Sequence, residues 1–222
     1  MRAGTDDTVH ETDETSGEYE TGRPFSSLLS TTRDVLFSPR RFFDELAPDG
    51  PLGAPVLYFL ICSALTALIN TLATLAFLSV PAGIALAAGS LDARMLVVAL
   101  AIFVLASLVV VPGLFVAGFF ASVPVQHLFI LLVAGRDQKG LSATLRVSCY
   151  SVGAPVAVTW IPLAAVPAIL YCLYLHATGL KRVHRISTGR SVGATLMLTA
   201  LLLALATVLA VYDYGLIREA MG

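Results

Sequence analysis

Residues 54–78, APVLYFLICSALTALINTLATLAFL, carry no charged side chain. A helix crosses the ~30 Å hydrocarbon core of a bilayer with about 20 apolar residues, so this stretch is long enough to span one. The chain around it has the same character. Of its 222 residues, 57% are hydrophobic and 13% are charged, about half the charged fraction usual in a soluble domain. The fold class this implies is all-α, a polytopic transmembrane helical bundle.

Three further apolar stretches follow. Residues 95–134 contain no Asp, Glu, Lys or Arg. One helix over them would be about 60 Å long, twice the core thickness, so it must tilt, kink, project or split. Pro112 and Pro124 are the expected break points. One kinked helix and a re-entrant segment both remain open. Residues 147–180 would make a helix of about 51 Å, again too long for a simple span. Pro155, Pro162 and Pro167 favour two short helices turning near 160–165. Residues 191–211 make a last Ala/Leu-rich span, with Tyr212, Asp213 and Tyr214 as an interfacial rim. Between the spans, residues 79–94, 135–146 and 181–190 read as loops.

The segments outside the spans divide by composition. Residues 1–24 hold seven acids within the first twenty positions and no apolar core of a signal peptide, and a disordered acidic tail is expected there. Residues 25–53 form an interfacial amphipathic region. Ser38 is placed to cap a helix with Pro39 in its first turn, running through Arg40, Arg41, Phe42, Phe43 and Leu46 to about Gly50-Pro51. Its phenylalanines either enter the headgroup layer or pack on the bundle. Residues 54–213 form the membrane domain, and residues 214–222 a short C-terminal tail.

Charge sets the topology, because cytoplasmic loops are enriched in Lys and Arg. With five spans and a cytoplasmic N-terminus, twelve bases lie inside and two, Arg94 and Arg218, lie outside with the C-terminus. Merging 147–180 into one span lowers the balance to nine against five, and splitting 95–134 into two spans reverses it to six against eight. Five spans agree best with the rule.

Three strings occur in order: SPRRFFDEL at 38–46, GLSATLRVSCYSVGAPVAVTWIP at 140–162 and LYCLYLHATGLKRVHRISTGR at 170–190. Together they resemble the YIP family of polytopic membrane proteins, named for Ypt-interacting protein, over roughly residues 30–212. Pro39, Phe42 and Phe43 match its pre-membrane Pro-x-x-Phe-Phe pattern. Tyr150, Ala154 and Pro155 match Tyr-x-x-x-Ala-Pro, and Gly179, Leu180 and His184 match Gly-Leu-x-x-x-His. The resemblance implies a five-span bundle. Eukaryotic members are associated with Rab-type GTPases and with membrane trafficking and shaping. This chain lacks the long tail of many of them and its last loop resembles the prokaryotic branch, so Rab binding is not carried over. A prokaryotic plasma membrane is the expected location.

Few residues could carry chemistry. Asn70, Gln126 and His127 are polar groups within apolar stretches, and such groups are functional candidates in a membrane. A hydrogen-bonding role for His127 is set against proton relay, which would call for a carboxylate that no span contains. Cys62, Cys149 and Cys172 show no metal or disulfide spacing, and neither a metal nor another cofactor is expected. No Gly-x-Ser-x-Gly, His-Glu-x-x-His or phosphate loop occurs, so catalysis is not expected. Lys181, Arg182, Arg185 and Arg190 form a basic loop suited to anionic lipids or a protein partner. The reading is a non-enzymatic membrane scaffold or organiser. Its partners are the bilayer, anionic lipids, and proteins or a second copy of the chain, not nucleic acid. A small transporter or channel is the alternative, and an intramembrane enzyme a third.

Overall fold

The computed structural model describes residues 19, 24–90, 92–135, 138–159, 161 and 164–221. Most of the 1–24 tail lies outside the described residues. Every regular element among those described is helical: α1 (Pro24–Phe37), α2 (Pro39–Glu45), α3 (Gly53–Ala87), α4 (Ala93–Leu105), α5 (Val111–Ala134), α6 (Leu141–Val156), α7 (Ala165–Val183) and α8 (Thr188–Met221). A π-helical segment, Ala106–Val110, joins α4 to α5.

Among the described residues, three helices are long and apolar enough to cross a membrane: Gly53–Ala87, the continuous Ala93–Ala134, and Thr188–Tyr214. Their outer faces are bare hydrocarbon, with Phe77, Ile84, Val97, Leu114 and Leu203 among the exposed side chains. Such an apolar surface suits lipid rather than water. The polar N-terminal half of α6 is buried, whereas α7 keeps Val166, Ile169 and Leu170 exposed.

Several boundaries depart from expectation for one reason. In hydrocarbon an unbonded backbone group is costlier than a proline in a helix, so helices run on through proline. The 79–94 loop is mostly helix, since α3 continues past Pro81 to Ala87. It ends where Gly89, at φ 67°, adopts the left-handed conformation. Ser90 N–H then bonds Ala85 O at 3.0 Å and Gly89 N–H bonds Leu86 O at 3.1 Å, closing the helix with a Schellman motif. Asp92 restarts the chain by accepting from Arg94 N–H at 2.7 Å.

The 95–134 stretch neither splits nor dips. Pro112 has no N–H, and its ring would press on the carbonyl four residues back. The turn before it widens instead: Val111 N–H reaches back five residues to Ala106 O. Pro124 sits inside α5 without ending it. By contrast 147–180 does break in two, with α6 stopping at Val156 and α7 starting at Ala165.

At the N-terminal side, α2 starts at Pro39 as the sequence indicates, but the Ser38 side chain makes no capping hydrogen bond. The backbone of Ser38 serves instead, donating to Asp34 O and accepting from Phe42 N–H. The helix ends at Glu45, short of Gly50. At the other terminus α8 stays helical past the Tyr212 rim, to Met221.

The tightest packing lies at the end of the bundle that carries the basic loops. Phe42, Phe43, Tyr58, Val147, Tyr150, Leu175 and Leu180 form one buried cluster there. Rings meet edge-on or tilted, Phe42 with Tyr150 at 5.0 Å and Tyr58 with Tyr150 at 5.2 Å between centroids. Tyr19, from the stretch expected to be a tail, is also buried here, 6.0 Å from the Tyr58 ring. Gly153 lets α6 approach α3, because a Cβ there would lie 2.9 Å from the Tyr58 ring.

Candidate functional site

The buried face of α2 reads directly from its sequence. Pro39, Phe42, Phe43 and Leu46 are three or four residues apart and all buried, which leaves Arg40, Arg41, Asp44 and Glu45 facing outward. The phenylalanines thus pack on the bundle, the second of the two arrangements open from sequence. They land on α6 and α7: Phe42 on Tyr150, and Phe43 against Gly179, where a Cβ would sit 3.0 Å from the Phe43 ring and 2.6 Å from Val147 Cγ1. One polar tie holds α2 and a second holds α1 beside it. Arg182 Nη1 lies 2.6 Å from Asp44 Oδ2, and the Tyr171 hydroxyl donates to Leu36 O in α1.

Docking α2 creates a basic pocket of about 290 Å³ between α2, α7 and the start of α8, walled by Arg40, Lys181 and Arg182 with Tyr174, Thr178 and Thr188. Asp44 holds Arg182 in place. No described carboxylate pairs with Arg40 or Lys181. Beside them Glu45 bonds Arg41 at 2.9 Å, and that hydrogen bond raises the Arg41 pKa above its usual value. Of the four expected bases, the structure brings Lys181 and Arg182 together. Arg185, in the left-handed conformation at φ 55°, and Arg190 are exposed and do not line the pocket. Arg40 joins them, and sequence reasoning missed it. Its only signal was a place on the polar face of SPRRFFDEL, and nothing local showed that this face would meet α7.

The residues that match the family pattern in sequence lie in the packed interior and do not line the pocket. Pro39, Phe42, Phe43, Tyr150, Ala154, Pro155, Gly179 and Leu180 are all buried. His184 closes α7 and is 2% exposed. Its Nε2 lies 3.1 Å from Thr144 Oγ1, and the same hydroxyl lies 2.9 Å from His127 Nδ1. One hydroxyl therefore ties α5, α6 and α7, and with a single proton it donates to at most one of the two rings. Thr144 was not foreseen, because 135–146 reads as a loop, whereas α6 starts at Leu141 and turns its polar residues inward. Arg146 shares that fate. It is fully buried and donates to Pro51 O at 2.6 Å, fastening the segment before α3 to the bundle.

The other two intramembrane candidates are apart. Asn70 is exposed and lines a cavity of about 450 Å³ between α3, the π segment and α5. Gln126 is wholly buried and faces a different cavity, of about 390 Å³. Among the described residues, none that lines either cavity is charged. Among the described residues no group of three His, Cys, Asp or Glu side chains could hold a metal ion.

No curated protein and no solved structure matches the chain significantly. The family model of the Yip1 domain does match, over residues 33–211. That span begins in α1 and runs nearly to the end of the long apolar part of α8, and it takes in the docked α2, the aromatic cluster and the basic pocket. The chain is therefore a membrane protein of the Yip1-domain family.

Proposed function

We propose that this protein is a non-enzymatic membrane organiser whose basic pocket holds the phosphate of an anionic lipid headgroup at the cytoplasmic surface. The observation that carries this reading is the convergence of Arg40 with Lys181 and Arg182 on one pocket from helices far apart in sequence. The arrangement depends on α2, so headgroup binding and α2 docking support each other. A base near a membrane surface contributes ~1 kcal/mol toward anionic lipid. Asp44 offsets Arg182, leaving Arg40 and Lys181, hence ~2 kcal/mol and a preference of about thirty-fold over a zwitterionic lipid.

The accompanying topology has five spans, a cytoplasmic N-terminus and an outer C-terminus, in a prokaryotic plasma membrane. The side of every charged loop is the same whether the α6–α7 hairpin crosses the bilayer or turns back inside it, because either path returns the chain to the side it left. Both basic loops then share the cytoplasmic face with α2, where protein partners could also reach them.

The test is native mass spectrometry of the purified full chain with phosphatidylglycerol and phosphatidylcholine in competition. Phosphatidylglycerol should be retained preferentially, and the preference should fall with salt. Lys181→Glu or Arg40→Glu should abolish it, while Arg190→Glu should leave most of it. Equal retention of the two lipids, or an equal effect of Arg190→Glu, overturns the assignment.

The transporter alternative rests on the cavity beside Asn70. Its hydroxyls are largely engaged by backbone: Thr66 bonds Val156 O, Thr71 bonds Ala67 O and Ser107 bonds Phe103 O. That leaves little to replace the hydration of a polar solute.

A further inference from the structure

The cavity of about 390 Å³ lies between α5, α6, α7 and α8, and its lining shares only α7 and α8, and none of its residues, with that of the basic pocket. Its polarity is graded. Gln126 is wholly buried, and neither atom of its amide has a hydrogen-bond partner among the described residues. His176, 7% exposed, has Nε2 without a partner as well. Both side chains line the cavity, beside Ser148. The nearby Thr195 and Thr199 hydroxyls bond carbonyls of their own helix, so they do not satisfy the amide.

The two unpartnered groups stand at the same level. Gln126 is eight residues from the end of α5 and His176 seven from the end of α7, so both lie about 10–12 Å below the basic loops. Below them the lining is mainly hydrocarbon, and the deeper hydroxyls of Ser122 and Thr199 bond carbonyls of their own helices; Leu202 is fourteen residues from the start of α8, about 21 Å down, and Leu114 about 30 Å. The cavity is thus most polar toward the headgroup side and mainly apolar at depth.

We propose that it binds a single-chain neutral lipid bearing a hydroxyl head. The hydroxyl donates to Gln126 Oε1 and accepts from Gln126 Nε2, with His176 Nε2 as a second partner, and the chain lies along Leu114, Phe115 and Leu202. Hydrocarbon alone would leave the amide unpaired where no bulk water reaches it. A phosphate head would meet no cation among the described residues that line the cavity. The volume is in the range of about 300–1,000 Å³ that encloses one small ligand.

The experiment uses the full chain in phosphatidylcholine nanodiscs and a monoacylglycerol carrying a photoactivatable diazirine and an alkyne on its chain. Two controls carry the same chain, one with no head and one as lysophosphatidylglycerol. The monoacylglycerol should label α5 and α8 about tenfold more than either control, a difference on the scale of one to two hydrogen bonds. Gln126→Leu, close in shape, should bring labelling down to the headless level with no fall in thermal stability. Gly118→Leu should remove it, since a Cβ at Gly118 meets nothing within 4 Å and the new side chain grows into open space beside the lining. Arg40→Glu should leave it unchanged, which separates this site from the basic pocket. Equal labelling by the headless chain, stronger labelling by lysophosphatidylglycerol, or undiminished labelling of Gln126→Leu overturns the proposal.

Discussion

Replacing Gly179 by alanine tests whether the α2 clasp is as tight as the structure has it. Two effects oppose each other. Glycine inside a helix costs about 0.5–1 kcal/mol relative to alanine, so on propensity alone the substitution should stabilise α7. Against this, the new Cβ would sit 2.6 Å from Val147 Cγ1 and 3.0 and 3.1 Å from two atoms of the Phe43 ring. Carbon atoms pack at about 3.5–4.0 Å, so α6 or α2 must move by ~1 Å. Val147 is wholly buried and Phe43 is 1% exposed, so neither can swing into space. Overpacking of this kind costs about 1–3 kcal/mol, and it outweighs the propensity gain by ~1–2 kcal/mol. The short α2 has less holding it than α6 and should yield first. Hydrogen–deuterium exchange of the α2 amides should then speed up about 5- to 30-fold while the middle of α3 is unaffected. Val147→Ala in the same chain removes the nearest methyl and should restore much of the loss, a coupling of 1 kcal/mol or more in a double-mutant cycle. Slower α2 exchange in Gly179→Ala, or strict additivity in the cycle, would refute the reasoning.

Three further outcomes follow from particular contacts. Single cysteines at Ser90, Ser142, Thr188 and Met221, in a chain otherwise free of cysteine, should be labelled from outside intact cells at Ser90 and Met221 only; outside labelling at Ser142 or Thr188 would sink the topology. A cysteine at Ile161 reads the α6–α7 turn: a hairpin that crosses exposes it to an outside reagent, and one that turns back within the bilayer protects it. Thr144→Val deletes both histidine contacts and leaves buried ring nitrogens unsatisfied, so it should cost ~2–3 kcal/mol. Thr144→Ser keeps the hydroxyl and should keep most of the stability, and equal thermal melts for the two variants would show that the shared hydroxyl contributes nothing.

How far the sequence could be read depended on the range of the interactions involved. The uncharged run at 54–78, the break in 147–180 and the start of α2 at Pro39 are local consequences of hydropathy and proline chemistry, and each has a helix or a break where the residues indicate. Local punctuation misled where the membrane changed its cost. Pro81 and Gly83 mark a loop in water, yet the helix continues through them to Ala87, as an apolar setting, where an open carbonyl would lack a partner, favours. Pro112 perturbs its helix as expected, and of the arrangements left open the outcome is a continuous helix with one widened turn. The 135–146 segment misled in the opposite sense. Its polar residues suggested solvent, while Thr144 and Arg146 turn inward to bond His184, His127 and Pro51 O.

The candidate site was legible only as separate pieces. Lys181 and Arg182 stand out in any count of charge, and Arg40 belongs to an obvious amphipathic turn. What joins them is that Phe42 and Phe43 find their pocket on Tyr150 and Gly179, more than a hundred residues along the chain. The missing Cβ of Gly179 is a shape requirement with no local periodicity, and it explains a glycine in a helix that would otherwise be stronger with alanine. The same reasoning gives the family pattern a physical content. Pro39, Phe42 and Phe43 supply the face of α2 that docks, Tyr150 and Gly179 its receiving surface, and His184 a tie that closes α7 onto α5 and α6. None of these side chains need touch a ligand for the pattern to matter. Loosening any of them would let α2 swing away and carry Arg40 from Lys181, so a substitution in the buried clasp should weaken anionic-lipid retention without altering one charge.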